Sequence, residues 1–362
     1  MPRRTATMLA STLMLFALLC VGLFMKVPYS EMSPGPTVNT LGEARGEAVL
    51  QISGRKTYPT SGHLNMTTVR VTGADYEMNL LEAVFGWLSH DNVVVPHENL
   101  YPGGKTEEQS TQENAEEFSQ SQESAKVAAL RQLDIPVTAR VIVSSVVKGA
   151  PAENKLHAGD VIRAVDGQPV TKPADVAALV TKHQPGEQVS FTIVPAAAAA
   201  AAEKEHKEAT RTEEVVITTK KSPETGRAIV GIRAGTDHTF PFQVDINLAD
   251  VGGPSAGLMF ALGIVDKLTP QDLTGGKFVA GTGTIDDAGK VGPIGGIQLK
   301  TIGARDAGAR YFLTPQENCA SAAADVPDGL TLVKVATLKE AVAASQKIAA
   351  GDTAALPRCT AS

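Results

Sequence analysis

Gly252-Gly253-Pro254-Ser255-Ala256-Gly257 separates two stretches of different periodicity. Before it, residues 243–248 (QVDINL) alternate as a strand does; after it, residues 255–267 (SAGLMFALGIVDK) carry the apolar spacing of a buried helix. A Gly-Gly-Pro turn between strand and helix lifts the Ser255 hydroxyl to a helix amino terminus. Gly253, Pro254 and Ala256 shape that turn. Backbone N–H groups there, with the positive end of the helix dipole, suit a developing oxyanion. A serine hydroxyl is a weak nucleophile without a base, so the stretch implies a partner elsewhere in the chain.

That partner is sought downstream, in residues 292–300 (GPIGGIQLK). On a helix, Lys300 shares a partly apolar stripe with Ile297 and Ala304. An apolar site disfavours the charged form of lysine and lowers its pKa. Neutral Lys300 can then take the Ser255 proton and hand it to a leaving amine. Spacing alone leaves two plainer readings open, a helix-capping serine and a snorkelling surface lysine.

The motifs in order are G-P-S-A-G at 253–257, T-G-x-I at 282–285 and G-x-V-x-P-I-G-G-x-x-x-K at 289–300. With the helix and strand that follow (301–315, TIGARDAGARYFLTP) and Gln316-Glu317-Asn318, they resemble the proteolytic domain of the Lon family of serine proteases over residues 229–345. The resemblance implies a Ser–Lys dyad that cuts peptide bonds through an acyl-enzyme. Ser255 would be the nucleophile, Lys300 the base, and Thr282 the residue that orients the lysine. The family's frequent lysine two positions earlier is Gln298 here, which leaves Lys300 as the match. Two departures, Gly252 in place of an acidic residue and Thr284 in place of Glu, bear on substrate contacts or subunit coupling and leave the dyad intact.

A second resemblance lies upstream. Residues 159–170 (GDVIRAVDGQPV) resemble the G-D-x-I-x-x-V-[ND]-G-x-x-V signature of PDZ domains, after Ala150-Pro151-Ala152 and before a helix at 173–183 with proline at its start. The resemblance implies a β-rich domain with two helices over residues 136–220 that adds an extended peptide to a sheet edge. The strand near 138–145 and the helix near 174–181 would border the groove. The run of alanines at 196–202 and the charged stretch after it form an insertion, 196–212, between strands at 188–194 and 214–219. Residues 222–226 (SPETG) then read as the linker to a proteolytic domain at 226–350, with a tail at 351–362.

Towards the amino terminus, residues 8–25 (MLASTLMLFALLCVGLFM) carry no charge. As a helix they span about 27 Å, close to the roughly 30 Å of a bilayer core. Arg3 and Arg4 place residues 1–7 in the cytoplasm and the body outside. An uncleaved single-pass anchor is the reading; a cleaved signal peptide is the alternative, although no A-x-A site follows. Outside the cytoplasm Cys319 and Cys359 are free to pair. Ser33-Pro34-Gly35-Pro36-Thr37 reads as a connector, and residues 107–123, rich in Glu, Gln and Ser, as a solvated helix or loop. Strands at 48–53 and 67–71, with the stretch 58–64, belong to neither anchor nor PDZ unit. They suggest that region 26–135 supplies the first strands of the catalytic fold, with the PDZ unit inserted in it.

With 33 Lys and Arg against 39 Asp and Glu, the chain's net charge of −6 argues against nucleic-acid binding. Apolar residues at 43% suffice for cores, and three cysteines exclude a disulfide-dense scaffold. No His or Cys spacing suits zinc, so neither metal nor cofactor is expected. The P-loop pattern is missing: Gly104-Lys105-Thr106 mimics its end, but Asn99 stands where its first glycine belongs. The expected architecture is therefore α+β, with a transmembrane helix, a PDZ domain and a Lon-type α/β domain. The expected function is ATP-independent endopeptidase action on flexible protein segments at the outer membrane face. A homo-oligomer is expected by analogy, and an inactive PDZ scaffold is the alternative.

Overall fold

The computed structural model describes residues 3–89, 91–204, 209–248 and 251–360. Two compact units divide the chain, one made of residues 1–134 and 244–362, the other of residues 135–243.

In chain order the elements begin with α1 (Arg3–Phe24), β1 (Tyr29–Asn39), β2 (Leu50–Ser53), β3 (His63–Val71), α2 (Leu80–Leu88), β4 (Val93–Pro96) and α3 (Glu107–Gln132). The smaller unit contributes β5 (Thr138–Val146), β6 (Val161–Val165), α4 (Pro173–Val180), β7 (Gln188–Val194), α5 (Ala196–Lys204), β8 (Glu213–Thr218) and β9 (Ile232–Thr239). The chain returns through β10 (Gln243–Ile246), α6 (Gly257–Leu268), β11 (Phe278–Gly281), β12 (Thr284–Ile285), β13 (Val291–Gly292) and α7 (Ile297–Asp306). It ends with β14 (Tyr311–Pro315), α8 (Cys319–Ala323), β15 (Thr331–Val335) and α9 (Leu338–Ala350).

The larger unit is built on a six-stranded sheet of order β15-β14-β11-β3-β1-β4. Its carboxy-terminal strands run parallel to β3, which pairs with β11 from His63↔Phe278 to Met66↔Gly281. β1 and β4 close the other edge antiparallel. β2 pairs with β10 in a separate two-stranded ribbon. Strands from both ends of the chain thus share one sheet, and the contact anticipated between regions 48–72 and 240–290 is made along β3. Helix α6 is buried from Gly257 to Asp266, packing against α3 and β3, while α7 lies on β1 and β3. A core that includes Ala280, Ala304, Phe312 and Leu332 fills the space beneath α7.

One sequence expectation is corrected in this unit and another refined. Ser33-Pro34-Gly35-Pro36-Thr37 is no connector but the middle of β1, where the register with β3 shifts between Pro34 and Thr37. A bulge there absorbs two prolines that cannot donate to the ladder. A Cβ on Gly35 would fall within 2.2 Å of Thr68 Oγ1, so only glycine fits that crossing. Residues 107–123 are the solvated helix of the two readings, mostly exposed, and form the first part of α3, which continues to Gln132. A capping box opens it, with Thr106 Oγ1 accepting from Gln109 N and Gln109 Oε1 from Thr106 N. Its polar composition hides an inner stripe, Phe118, Ser121, Ala125 and Ala128, spaced three and four apart and buried.

The smaller unit is a sheet of order β8-β7-β6-β5-β9 with α4 and α5. Its core is mostly aliphatic, Val141, Val143, Ile162, Val189 and Ile217 packing around Phe191. Residues 222–226 form a turn inside this unit rather than a linker, because the chain goes on to add β9 antiparallel to β5, from Ile232↔Val146 to Thr239↔Thr138. The unit boundary accordingly lies at Gln243/Val244, not near residue 220. β9 is one of the two edge strands and packs against α4, as β6 also does, while β5 is interior, so β9 and not β5 offers an open edge beside α4. The alanine run forms α5, with Ala199 packed on Val161 and Val194; residues 205–208 of the charged stretch lie outside the described residues.

Helix α1 begins at Arg3, and its segment Arg4–Phe24 is long and apolar enough to cross a membrane. Cys319 and Cys359 form a disulfide that ties the start of α8 to the carboxy-terminal segment.

Candidate active site

Ser255 stands at the end of the turn that leads into α6, half-buried. Gly253 takes a left-handed φ of +81°, a conformation costly for any residue with a side chain. Its N–H donates to Asn114 O of α3 at 2.9 Å. Ser121 Oγ, also on α3, donates to Pro254 O at 2.9 Å. Helix α3 therefore holds the turn from behind, and further along Ser124 and Arg131 hold Asp287 in the neighbouring loop. A Cβ on Gly257 would come within 2.8 Å of both Ile285 Cγ2 and Ser121 Oγ, so glycine here lets the helix start lie against α3 and β12.

The serine carbonyl is fixed by two donors, Thr282 Oγ1 at 3.0 Å and Gly283 N at 2.9 Å. Thr282, completely buried, thus positions the Ser255 main chain; its hydroxyl donates there rather than to the lysine. No side chain caps α6, whose N-cap position is Ala256. Ser255 is not used as a cap; within the first turn Leu258 N donates to Gly283 O at 3.1 Å and Met259 N to Ala256 O at 3.0 Å, which leaves the N–H groups of the turn before them to meet other acceptors. Pro254 has no N–H and contributes turn geometry and an acceptor for Ser121.

Lys300 lies in the first turn of α7, which starts after Gly296 in the left-handed region. It is 2% exposed, which rules out a snorkelling surface lysine. Its Nζ is 2.9 Å from Ser255 Oγ and 2.7 Å from Thr67 O on β3. Burial alone pulls its pKa down from 10.5 to about 8, because the low-dielectric surroundings disfavour the ammonium. A neutral amine has two N–H groups and one lone pair. With Thr67 O accepting one N–H, the lone pair is left to face the serine hydroxyl.

In front of Ser255 is an open depression of about 360 Å³, lined by Pro254, Ser255, Thr284, Pro293, Ile294 and Gly295. Its far wall is rigid, since Asn318 binds both backbone groups of Ile294, through Oδ1 to the N–H and Nδ2 to the carbonyl, each at 2.9 Å. Thr284, one of the two departures from the family pattern, faces this space. Among the described residues no group of three or more His, Cys, Asp or Glu is placed to hold a metal ion.

The fold brings Ser255, Lys300 and Thr282 together with Gly253, Pro254 and Ala256. Sequence reasoning missed Thr67, Asn114 and Ser121. Thr67 and Asn114 act through main-chain carbonyls, which leave no side-chain signature. Ser121 had a signal, its place on the buried stripe of α3, but the surrounding Glu and Gln obscured it.

Residues 113–195 match the PDZ domain family, and residues 249–346 match the family described as Lon protease (S16) C-terminal proteolytic domain. The chain is similar to the Lon protease of Rhizobium meliloti, 39% identical over 95 residues, which is 25% of this chain and 11% of that protein. It is also similar to the Lon protease of Roseiflexus castenholzii, 46% identical over 66 residues, or 18% of this chain and 8% of that one. The chain thus spans about a tenth of the length of these relatives. Among solved structures it is similar to the PDZ domain of an SdrC-like protein from Listeria monocytogenes, 23% identical, covering 26% of this chain and 86% of that one, with a TM-score of 0.21. The PDZ match begins within α3, which the structure assigns to the larger unit.

Proposed function

We propose that this chain, which carries a PDZ domain and a Lon-type proteolytic domain, is a membrane-anchored serine endopeptidase whose nucleophile is Ser255 and whose general base is Lys300. The observation that carries the reading is the buried Lys300 amine 2.9 Å from the Ser255 hydroxyl, its pKa lowered to about 8.

In the reaction, neutral Lys300 Nζ removes the Ser255 Oγ proton as Oγ bonds to the carbonyl carbon of the scissile peptide. The resulting oxyanion is received by backbone N–H groups of the turn at Ala256 and Gly257, ahead of the already bonded Leu258 and Met259, where the helix dipole also favours negative charge. The lysine ammonium then protonates the departing amine as the C–N bond breaks, leaving an acyl-serine. A water, deprotonated by the same lysine, attacks the ester carbonyl; the acyl–oxygen bond breaks, the carboxylic acid product leaves and Ser255 regains its proton. Thr282 and Ser121 act as positioning residues by holding the backbone on either side of the nucleophile.

The substrate is an extended protein segment. The depression is open and mostly apolar, suited to main chain with small or apolar side chains. Peptide recruitment falls to the free edge of β9 beside α4, where main-chain pairing would add a strand. Action is independent of ATP, since the sequence lacks the P-loop pattern of an unfoldase. An extracytoplasmic location is supported by Arg3 and Arg4 ahead of the span and by the Cys319–Cys359 disulfide, which an oxidising compartment preserves.

The test uses the full chain in detergent with casein, wild type against Ser255→Ala and Lys300→Ala. Both substitutions should abolish cleavage. Cleavage that persists in both would remove the dyad, and wild type with no cleavage and no labelling by a serine-directed probe would favour a PDZ scaffold.

A further inference from the structure

We infer that α2 is a second membrane contact, an amphipathic helix that lays its outward apolar face on the bilayer beside the span α1. This rests on the reading of α1 as a membrane anchor and goes beyond it, since an anchor alone would leave the catalytic unit free on a tether.

The first observation is that α2 is turned the wrong way for a soluble domain. In LLEAVFGWL, the residues packed against the protein are the small Ala83 and Gly86. At 100° per residue these define one stripe, and Leu81, Val84, Phe85 and Leu88 fall on the opposite side. Phe85 is 70% exposed and Leu88 78%, while Trp87 at the margin is 52% exposed. An ordinary surface helix buries such residues and exposes its small or polar ones. Here the inner stripe has to be small: a Cβ on Gly86 would come within 2.5 Å of Val94 Cγ2 on β4.

The second observation says what covers that face. Leu81, on the same outward stripe, packs on α1, and a Cβ at Gly22 would lie 3.0 Å from Leu81 Cγ. The junction is closed by main-chain bonds, Leu80 N to Met25 O at 3.0 Å and Val27 N to Met78 O at 2.9 Å, and by Lys26 Nζ donating to Glu77 O. The apolar surface of α2 therefore runs without a break into the lipid-facing surface of the span, at the point where α1 ends. Aromatic side chains gather there: Tyr29 meets Trp87 edge-on with ring centroids 5.1 Å apart, and Tyr76 is half exposed nearby. Amphipathic aromatic rings at a span end mark the headgroup level. The polar face offers Glu82 and no basic residue, so the contact is driven by apolar burial rather than by attraction to anionic lipid.

Trp87 is the only tryptophan of the chain, so its emission reports this helix and nothing else. The full chain is reconstituted in phosphatidylcholine vesicles with or without bromine on the acyl chain near the glycerol end. Flotation with the vesicles reads the anchor, and bromolipid quenching reads α2. The chain should float, and bromolipid should cut Trp87 emission by about half, the depth expected of an interfacial helix. Phe85→Ser combined with Leu88→Ser should still float yet lose most of the quenching, while Phe85→Leu should retain it. A chain that floats but whose Trp87 is equally bright in both lipids and open to acrylamide overturns the inference and leaves the anchor standing. Trp87 shielded from acrylamide without bromolipid quenching, the shielding lost on dilution, assigns the face to a second copy and also overturns it. A chain that does not float removes the anchor reading and this inference with it.

Discussion

The two units bury ionisable side chains to opposite ends. In the smaller unit Asp160, 3% exposed, is satisfied by the main chain: it accepts from His157 N at 2.7 Å and Ala196 N at 2.9 Å, fastening the turn before β6 to the start of α5. In the larger unit the charged forms are disfavoured. Lys300 is held at a pKa of about 8, and Asp266, buried in α6, is pushed up from 3.8 to about 6 by burial. Asp266 accepts from Leu273 N through Oδ1, while Oδ2 has no hydrogen-bond partner. The contrast teaches that a buried charge with enough donors serves the fold, whereas one whose desolvation is not made good is pressed towards its neutral form at a cost in stability.

Breaking that contrast at Lys300 should have the largest effect. Lys300→Met should reduce peptidase activity at least about a thousandfold, the scale of losing a general base. The same substitution should raise unfolding free energy at pH 7, because a shift from 10.5 to about 8 corresponds to a penalty on the order of 3 kcal/mol. Urea denaturation checks it; a variant less stable than wild type would show that the amine's bonds to Thr67 and Ser255 outweigh its burial. The next test removes the Cys319–Cys359 bond, which closes a 40-residue separation. Replacing both cysteines with serine should lower the stability of the larger unit by roughly 2–4 kcal/mol, with the melting of the smaller unit unchanged.

The pH dependence sharpens the same point. Below about pH 8 the Lys300 amine is charged in folded and unfolded chain alike, and the folded state bears the full penalty. As pH rises from 8 towards 10.5 the folded amine is neutral while the unfolded one is still charged, so the penalty shrinks, and the stability gap between Lys300→Met and wild type should close over that window. Activity needs the neutral amine, so kcat/KM should climb about tenfold between roughly pH 7 and 9. A flat profile would deny Lys300 the role of base.

In the smaller unit, Asp160→Ala should cost about 1–2 kcal/mol by removing the carboxylate that the part-buried N–H groups of His157 and Ala196 bond, without changing cleavage of a short peptide. Smallest of all, Ser121→Ala should lower kcat about fivefold with KM unchanged and stability reduced by about 1 kcal/mol, the worth of one hydrogen bond to the Pro254 carbonyl. A KM effect instead would place Ser121 in substrate contact.

What the amino-acid sequence determined by itself was local. The turn at 252–257, the lysine after a Gly-Gly break and the tight turns around Gly159 and Gly167 are each written within a dozen residues, because glycine, proline and a reactive side chain must sit at fixed offsets for the backbone to bend there. Tertiary structure decided everything that depends on partners far along the chain. The proline-rich 33–37 became a sheet strand because β3 lay beside it with a bulge to spare. The Glu- and Gln-rich α3 became the support of the nucleophile turn because four small or aromatic side chains found α6. Residues 222–243 stayed with the smaller unit because β5 had an open edge for β9. Above all, Lys300 loses its charge because of what surrounds it, and Thr67 holds it through a carbonyl that every residue possesses. Desolvation and main-chain bonding are properties of an environment, and an environment exists only once the chain has folded.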